Sequence, residues 1–326
     1  FFDNKTMNQF IDKQIYRPSS VWAALEIVGD KPILLILESY WLGIRRFSDF
    51  CTQTGLLKTV VSDRLKKLIA VGCLQKTAYS TKPLRYEYRG TEKLMGMYPL
   101  ALSMLHWEYQ WGQQPKKINL QLTHTNCQKI STPIPKCLAC RAPLQGRDVD
   151  WVIEPAETQD GVKPYSRRRK SSLVLKPREI VLFDEIADVI GDRWSALIIR
   201  SLFTRLDSFQ AIQQDTQMAT NVLSERLRLL LDKQIIAKIK QPSSRHMGYK
   251  LTQKGHDIYP VMLALMEWGS RWPTDHLDPP INLVHRPCGC RLKMQIACSA
   301  CDQELLPKEV TFTLDGASLS DTKSSR

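Results

Sequence analysis

The sequence predicts a mainly α-helical protein with small β-hairpins, built as two copies of one unit. Three observations support this prediction. Gly29-Asp30 recurs 162 residues later as Gly191-Asp192, and many other residues follow at the same offset. Apolar side chains repeat at helical spacing near both ends of each copy. Each copy also ends in a Cys/His motif in the same register, which is typical of a small metal-binding module.

The repeat divides the chain into segments. After Cys73 the offset falls from 162 to 161, which places a deletion in a loop of the second copy. A stretch rich in Pro, Gly and charged residues, including Arg167 to Lys170, separates the copies and has the composition of a solvated linker. The predicted segments are an N-terminal segment (1–19), a first helical domain (20–115), a first Cys/His module (118–144), a basic linker (145–178), a second helical domain (179–275), a second Cys/His module (281–306) and a flexible tail (307–326).

The composition is that of a globular protein with a strong positive charge. The 326 residues are 43% hydrophobic and 24% charged, and the net charge is +13. A positive field of this kind attracts polyanions, of which nucleic acid is the commonest. The longest apolar run, Pro32 to Leu37, is far shorter than the roughly 20 residues that cross a bilayer, so we expect no membrane partner. No secretory leader pattern is recognisable after Phe1, and a cytoplasmic location is expected.

The local pattern in each copy predicts three helices in succession. Asp30 and Asp192 precede apolar runs and are suited to cap a first helix. A short second helix holds Phe47 and Phe50 in the first copy, matched by Phe209 and Ile212. In the third helix the residues at helical spacing, which predict a core-facing side, are Val61, Leu65 and Leu68, repeated as Leu223, Leu227 and Leu230.

A hairpin and a long amphipathic helix complete each copy. Strand-like segments are predicted at 74–79 and 86–89, and again at 235–240 and 248–251. The last helix has an apolar stripe at i, i+4, i+7 and i+11, formed by Leu100, Met104, Trp107 and Trp111 and repeated by Val261, Leu265, Trp268 and Trp272. Three helices, a hairpin and a closing helix make a winged helix-turn-helix, and each Cys/His module resembles a zinc ribbon.

These motifs resemble the HxlR family of bacterial regulators over about 95 residues in each half. The resemblance implies a transcriptional regulator that binds double-stranded DNA, although family members are usually single-copy and act as homodimers. Two departures are Pro32, where the family and the second copy (Trp194) have Trp, and Gln217, which stands at the place of Gly55. The first copy carries the resemblance at Gly29, Asp30, Lys31, Arg46, Phe47, Gly55, Ser62, Arg64, Leu65, Leu68, Gly72, Tyr88 and Trp107.

The third helix is expected to enter the major groove, while the wing contacts phosphates. Asn221 is suited to adenine and Lys58 to guanine. Arg64 and Arg226 lie beside the core face, so we expect either a phosphate contact or an intradomain ion pair. The predicted DNA-contacting residues are Lys58, Thr59, Ser62, Asp63, Lys66, Lys82 and Arg85 in the first copy, and Thr220, Asn221, Ser224, Arg228, Arg245 and His246 in the second.

The Trp-bearing last helices offer more apolar surface than one small domain needs. We therefore expect the two copies to pack into an intramolecular pseudo-dimer, with recognition helices about 34 Å apart and unlike half-sites. Further self-association stays open.

Each copy ends in the spacing H-x2-C-x9-C-x2-C, which fits four ligands around a structural zinc ion. Disulfides are the alternative, and zinc is favoured in a cytoplasmic chain. Cys290 is a second candidate for the place of His285, whereas Cys51 and Cys73 are interpreted as buried small side chains. The predicted ligands, for two zinc ions per chain, are His124, Cys127, Cys137 and Cys140, and His285, Cys288, Cys298 and Cys301.

Two other functions are alternatives to a DNA-binding regulator. An enzyme is disfavoured because the sequence shows no phosphate loop, nucleotide fingerprint or paired carboxylates, and the metal sites would be saturated. A protein-interaction scaffold that has lost one or both DNA-reading faces is the second alternative. The acidic residues Asp63 and Glu225 on the reading face support it.

Overall fold

The computed structural model describes residues 20–112, 120–153, 182–240, 247–272 and 281–314. Within these ranges both copies show the same order of elements, as the repeat predicts. The first copy contains helices α1 (Ser20–Val28), α2 (Lys31–Trp41), α3 (Phe47–Thr54), α4 (Lys58–Ala70), α5 (Glu92–Met95) and α6 (Tyr98–Trp111), with the hairpin β1 (Leu74–Thr81) and β2 (Leu84–Gly90).

The second copy repeats this arrangement, with a shorter first helix, last helix and hairpin and with the other helices of equal length. None of the described helices is long and apolar enough to cross a membrane. Its helices are α7 (Glu185–Ile190), α8 (Arg193–Phe203), α9 (Phe209–Thr216), α10 (Thr220–Asp232), α11 (Gln253–His256) and α12 (Tyr259–Arg271), and its hairpin is β7 (Ile236–Lys240) and β8 (Met247–Leu251).

Helices α1 and α7 were not predicted, and both lie between the copies. Helix α1 packs mainly on α12 of the second copy. Helix α7 likewise contacts α6, which belongs to the first copy. At the α1 crossing, a Cβ added to Gly269 would lie 1.9 Å from the carbonyl oxygen of Ser20, so only glycine permits this approach. The two copies therefore share one apolar core.

The contacts between the copies are reciprocal. Arg193 donates to Glu26 Oε1 at 3.0 Å, and Lys31 forms the matching ion pair with Asp188. Trp107 Nε1 donates to the carbonyl of Lys254 at 3.0 Å, and Trp268 Nε1 donates to that of Lys93 at 2.8 Å. Asp30 forms a β-bridge with its own repeat equivalent, Asp192. Such reciprocity is what a two-fold relation between repeated units produces.

Tight turns are kept in both copies with different residues. At three turns the first copy has glycine with positive φ, and the second copy has a longer residue in the same left-handed conformation. Gln217, one of the two departures from the family pattern, has φ of 52° where Gly55 has 65°, so the turn is preserved. The three pairs are Gly43 and Arg205, Gly55 and Gln217, and Gly72 and Gln234.

The C-terminal parts of the two copies form one intertwined β-structure. Its central antiparallel pair joins β5 to β11, with Pro135 opposite Ile296, which are repeat equivalents. Around it β6 pairs with β9, and β12 pairs with β3. The strands are β3 (Leu120–His124), β4 (Lys129–Ser131), β5 (Pro133–Cys137), β6 (Val149–Ile153), β9 (Ile281–His285), β10 (Cys290–Arg291), β11 (Met294–Cys298) and β12 (Val310–Leu314).

This exchange corrects the predicted boundaries. The modules at 118–144 and 281–306 are not separate units, because their central strands pair with each other. Strand β6 lies in the predicted linker and β12 lies in the predicted flexible tail. Both strands were missed because their partners belong to the other copy, and a local pattern carries no information about such a partner. The segment 1–19 and the basic cluster at 167–170 lie outside the described residues.

Candidate DNA-binding face and metal centres

In the first copy the helix expected to enter the major groove is α4. It buries one side and exposes the other, as predicted. Val61, Leu65 and Leu68 are buried in the core. No side chain caps the helix, so its first backbone N–H groups stay available to a phosphate. The predicted contact residues at its exposed side are Lys58, Thr59, Asp63 and Lys66, together with the half-buried Ser62.

Helix α10 offers a different set of groups in the same place. Thr220, Asn221, Ser224 and Arg228 are exposed, and α10 also lacks a side-chain cap. The Thr220 hydroxyl accepts a hydrogen bond from Gln213 Nε2 at 2.9 Å, which fixes its orientation. Asn221 thus stands where the first copy has Thr59, and Arg228 stands where it has Lys66.

Arg64 and Arg226 form intradomain ion pairs. Of the two roles expected for them, a phosphate contact or an ion pair within the domain, the structure shows the second. Arg64 Nε contacts Asp30 Oδ2 at 2.8 Å, and Arg226 pairs with Asp192. Each arginine also pairs with the acidic residue before it in the chain, Asp63 or Glu225. The negative charges on the reading face are therefore partly neutralised by their own neighbours.

Further basic groups, besides the predicted ones, lie on or beside the first wing. Lys82 and Arg85 are exposed around its turn, as expected. Lys76 Nζ lies 4.0 Å from the centre of the Tyr86 ring, and Arg46 lies over the Tyr79 ring. Stacking of this kind orients a cation without burying its charge. The wing residues Arg245 and His246 lie outside the described residues.

Leu57 was also missed. It immediately precedes α4 and is 60% exposed, unusual for a large apolar side chain beside a basic surface. An apolar group at this position is suited to a thymine methyl group. Its signal in the sequence is an apolar residue directly before Lys58.

Two clusters of four Cys and His side chains lie in the intertwined β-structure, and each combines ligands from both copies. In each cluster the potential ligand atoms lie within 4.8 Å of one another. One cluster contains His124, Cys127, Cys298 and Cys301, and the other contains Cys137, Cys140, His285 and Cys288. The predicted ligand residues are brought together, but the grouping within one copy is wrong.

The β5–β11 register explains the exchange. Cys298 lies opposite Pro133, beside the β3–β4 hairpin that carries His124 and Cys127. Cys137 lies opposite Met294, at the other end of the pair. Antiparallel pairing therefore brings each C-terminal cysteine pair to the His-Cys hairpin of the other copy. Spacing alone could not distinguish these arrangements, because both copies offer identical ligand types.

The distances fit a tetrahedral zinc site. Zinc–sulfur bonds of about 2.3 Å place two tetrahedral sulfurs about 3.8 Å apart. Cys127 Sγ lies 3.9 Å from Cys298 Sγ, and Cys137 Sγ lies 4.0 Å from Cys288 Sγ. His285 Nδ1 lies 3.4 Å from both Cys140 Sγ and Cys288 Sγ. The donor set and the spacing therefore match zinc.

Several other observations agree with a metal-binding role. Burial by itself raises the pKa of the Cys298 thiol, but hydrogen bonds involving Ser131 and the N–H groups of Ala300 and Cys301 lower it to about 6. The thiolate is the form that binds metal. All nine cysteines are free, so the disulfide alternative is not seen.

The cysteines outside the two clusters have other surroundings. Cys290 is exposed, and His285 holds the ligand position for which Cys290 was the alternative. Burial raises the pKa of Cys73 to about 11, which keeps this thiol protonated. Burial also raises the pKa of the half-buried Cys51.

Comparison with known proteins gives consistent matches. The model of the HxlR-like helix-turn-helix family matches residues 27–116 and 189–276. An "Uncharacterized HTH-type transcriptional regulator" of Mycobacterium bovis is 31% identical over 134 residues, which are 41% of this chain and 85% of that protein, and one from Mycobacterium tuberculosis matches to the same extent. A similarly described Bacillus subtilis protein is 28% identical over 99 residues, covering 30% of this chain and 88% of that protein.

Proposed function

Because this chain belongs to the HxlR-like helix-turn-helix family, we propose that it binds double-stranded DNA sequence-specifically as a transcriptional regulator. The observation that carries the proposal is the pair of uncapped helices, α4 and α10, each with a buried apolar side and an exposed polar side. The net charge of +13 adds a field that attracts the DNA backbone. The scaffold alternative is weaker because Asp63 and Glu225 are paired with arginines.

The two copies act as a fused pseudo-dimer. Reciprocal ion pairs and Trp hydrogen bonds hold the copies together as subunits of a dimer are held. In this arrangement one chain presents two recognition helices to one face of the DNA, about 34 Å apart. The metal clusters are proposed to hold structural zinc, because four protein ligands leave no open position for chemistry.

The DNA-binding proposal is tested by titrating the intact protein against the intergenic DNA upstream of its own gene. Lys58→Ala and Asn221→Ala are each expected to weaken specific binding by about 1–3 kcal/mol, since each removes a base contact. Lys308→Ala is the matched control, because this exposed lysine lies before β12 in the intertwined β-structure and belongs to neither recognition helix nor wing. Affinity is measured by fluorescence anisotropy from low to high salt.

Each variant also has an expected signature. Loss of a base contact relaxes discrimination at one position, whereas loss of a phosphate contact lowers the salt slope by about one. Absence of DNA binding by the wild-type protein at low salt would contradict the proposal, as would equal weakening by Lys308→Ala.

The unlike helices predict an asymmetric operator. Asn221 in α10 and Lys58 in α4 offer different hydrogen-bonding groups at adjacent places in the two recognition helices, so each prefers its own half-site. Palindromic sites made from either half-site are expected to bind at least about tenfold more weakly than the natural site, the cost of one or more mismatched base pairs. Selection of bound sequences from a random library tests this. Recovery of perfect palindromes would contradict it.

A further inference from the structure

A cavity lies where the two copies meet the intertwined β-structure. It has a volume of about 480 Å³, within the range of sites for small organic ligands. Helix α6, strand β5 with the loop that follows it, and the start of α12 with the preceding α11 all contribute to its lining. The cavity therefore touches both copies and the strand that carries Cys137.

The lining combines apolar walls with several polar groups. Ile134, Pro135, Leu144 and Pro260 provide apolar surface, and Tyr109 adds an aromatic ring. Among the twelve lining residues, Asp257 is the only carboxylate, and neither lysine nor arginine is present. Burial lowers the pKa of His106 and raises that of Tyr109 to about 12, so neither side chain carries a charge at pH 7. The twelve lining residues therefore carry a net negative charge, while Arg147 outside the lining donates to Gln145 Oε1 at 2.7 Å.

Asp257 is held in place and keeps capacity to accept further hydrogen bonds. Trp111 Nε1 donates to its Oδ2 at 3.0 Å, and Gln253 Nε2 donates to its Oδ1 at 2.8 Å. A carboxylate has about four acceptor positions, so two remain for a ligand. An ammonium group satisfies both this acceptor capacity and the charge.

We propose that this cavity binds a small organic cation, an amine attached to an apolar or aromatic body, with Asp257 as the partner of the ammonium group. The amine occupies the carboxylate end, and the body lies on the Ile134, Pro135 and Leu144 walls. A ligand here contacts both copies at the Trp111–Asp257 bond, so it shifts the balance between arrangements of the recognition helices. This regulatory consequence rests on the proposed function, whereas the binding itself does not.

The repeat supplies an internal comparison. Gln110 and Gln253 line the cavity, and their repeat equivalents, Arg271 and Glu92, form an ion pair at 2.7 Å on the other side of the molecule. The equivalent of Asp257 is Gly96, where an added Cβ would lie 3.4 Å from Trp272 Nε1. The two sides thus differ in the groups that a cationic ligand requires.

The test measures binding of tryptamine and of indole-3-acetate to the intact, metal-loaded protein without DNA, by saturation-transfer NMR and calorimetry. The two probes share the indole ring and differ in the sign of charge. Tryptamine is expected to bind at least about tenfold more tightly, as a charge contact in a partly buried site allows. Asp257→Asn is expected to remove this preference.

A double variant and a matched control locate the site. Gln110→Arg with Gln253→Glu copies the ion pair that the other side already carries, and is expected to abolish tryptamine binding while the thermal unfolding midpoint stays unchanged. The control, Glu92→Gln with Arg271→Gln, alters only the other side and is expected to bind tryptamine as the wild type does.

Absence of saturable tryptamine binding would overturn the proposal. Equal binding of both probes, or unchanged binding in the Gln110→Arg, Gln253→Glu variant, would also overturn it. Parallel anisotropy measurements with operator DNA separate the two ideas. Lost DNA binding with intact tryptamine binding contradicts the proposed function alone, and the opposite result contradicts the cavity proposal alone.

Discussion

At the residue scale, the buried carboxylate of Glu108 contacts the other copy. Its side chain is 4% exposed, and its two carboxylate oxygens accept the backbone N–H groups of Glu185 and Ile186 at 3.2 and 3.1 Å. These groups form the beginning of α7, which belongs to the other copy. Burial raises the pKa of Glu108, and the N–H groups oppose this rise without cancelling it.

This raised pKa predicts a pH-dependent stability. As pH rises from the ordinary carboxyl range, the unfolded chain loses its Glu108 proton before the folded chain does. The free energy of unfolding therefore falls with pH until the folded pKa is passed, by about 1.4 kcal/mol for each unit of difference. Glu108→Gln keeps an acceptor and removes the ionisation, so it is expected to lose this decrease and to be at least as stable as the wild type at pH 8.

Urea unfolding at several pH values, compared as the difference between wild type and variant, measures this contribution. Glu304→Gln, at an exposed position, is the control and is expected to change little. If Glu108→Gln is less stable than the wild type at pH 8, the ionised carboxylate stabilises α7 and the sign of the prediction is wrong.

At the scale of elements, the paired turns allow the free-energy cost of a left-handed backbone to be compared between glycine and longer residues. A non-glycine residue in this conformation costs about 1–2 kcal/mol, and glycine loses roughly 0.5–1 kcal/mol through its greater freedom when unfolded. Gln234→Gly is therefore expected to raise the free energy of unfolding by about 0.5–1 kcal/mol. An added Cβ at Gly72 meets nothing within 4 Å, so the reverse change, Gly72→Gln, isolates the backbone cost and is expected to lower stability by a similar amount.

Both variants are measured by thermal or urea unfolding of the full chain. Leu231→Met, a conservative change near the Gln234 turn with ordinary helical backbone, controls for repacking. Opposite signs are the essential result. If both exchanges destabilise the protein, side-chain contacts at these turns outweigh the backbone conformation.

The elements that could be predicted from sequence are those whose pattern is local. The buried face of α4, with Val61, Leu65 and Leu68, follows from helical spacing, and the ligand types follow from H-x2-C and C-x2-C. Helix α1 escaped prediction because most of its residues, including Val21, Leu25 and Val28, are buried between the copies and leave no polar face. Strands β6 and β12 escaped because each pairs with a distant strand of the other copy.

At the scale of the whole molecule, the two Cys/His clusters connect the two copies, because each cluster has ligands from both. Each cluster takes one His-Cys hairpin from one copy and one cysteine pair from the other. A metal ion bound there crosslinks the copies near the last helices, α6 and α12, in addition to their apolar contact. We therefore expect metal removal to loosen the relative position of the recognition helices.

Two double variants distinguish exchanged ligands from ligands within one copy. Cys127→Ser with Cys301→Ser removes two ligands from one exchanged cluster and leaves the other intact. Cys127→Ser with Cys140→Ser removes one ligand from each exchanged cluster. In the presence of a competing chelator, native mass spectrometry is expected to find one zinc ion in the first variant and none in the second, because loss of a thiolate weakens a four-ligand site strongly. Ligation within each copy predicts the opposite counts.

Cys290→Ser, outside both clusters, is the control and is expected to keep two zinc ions. Loss of metal from this variant would show that Cys290 and not His285 completes the second site.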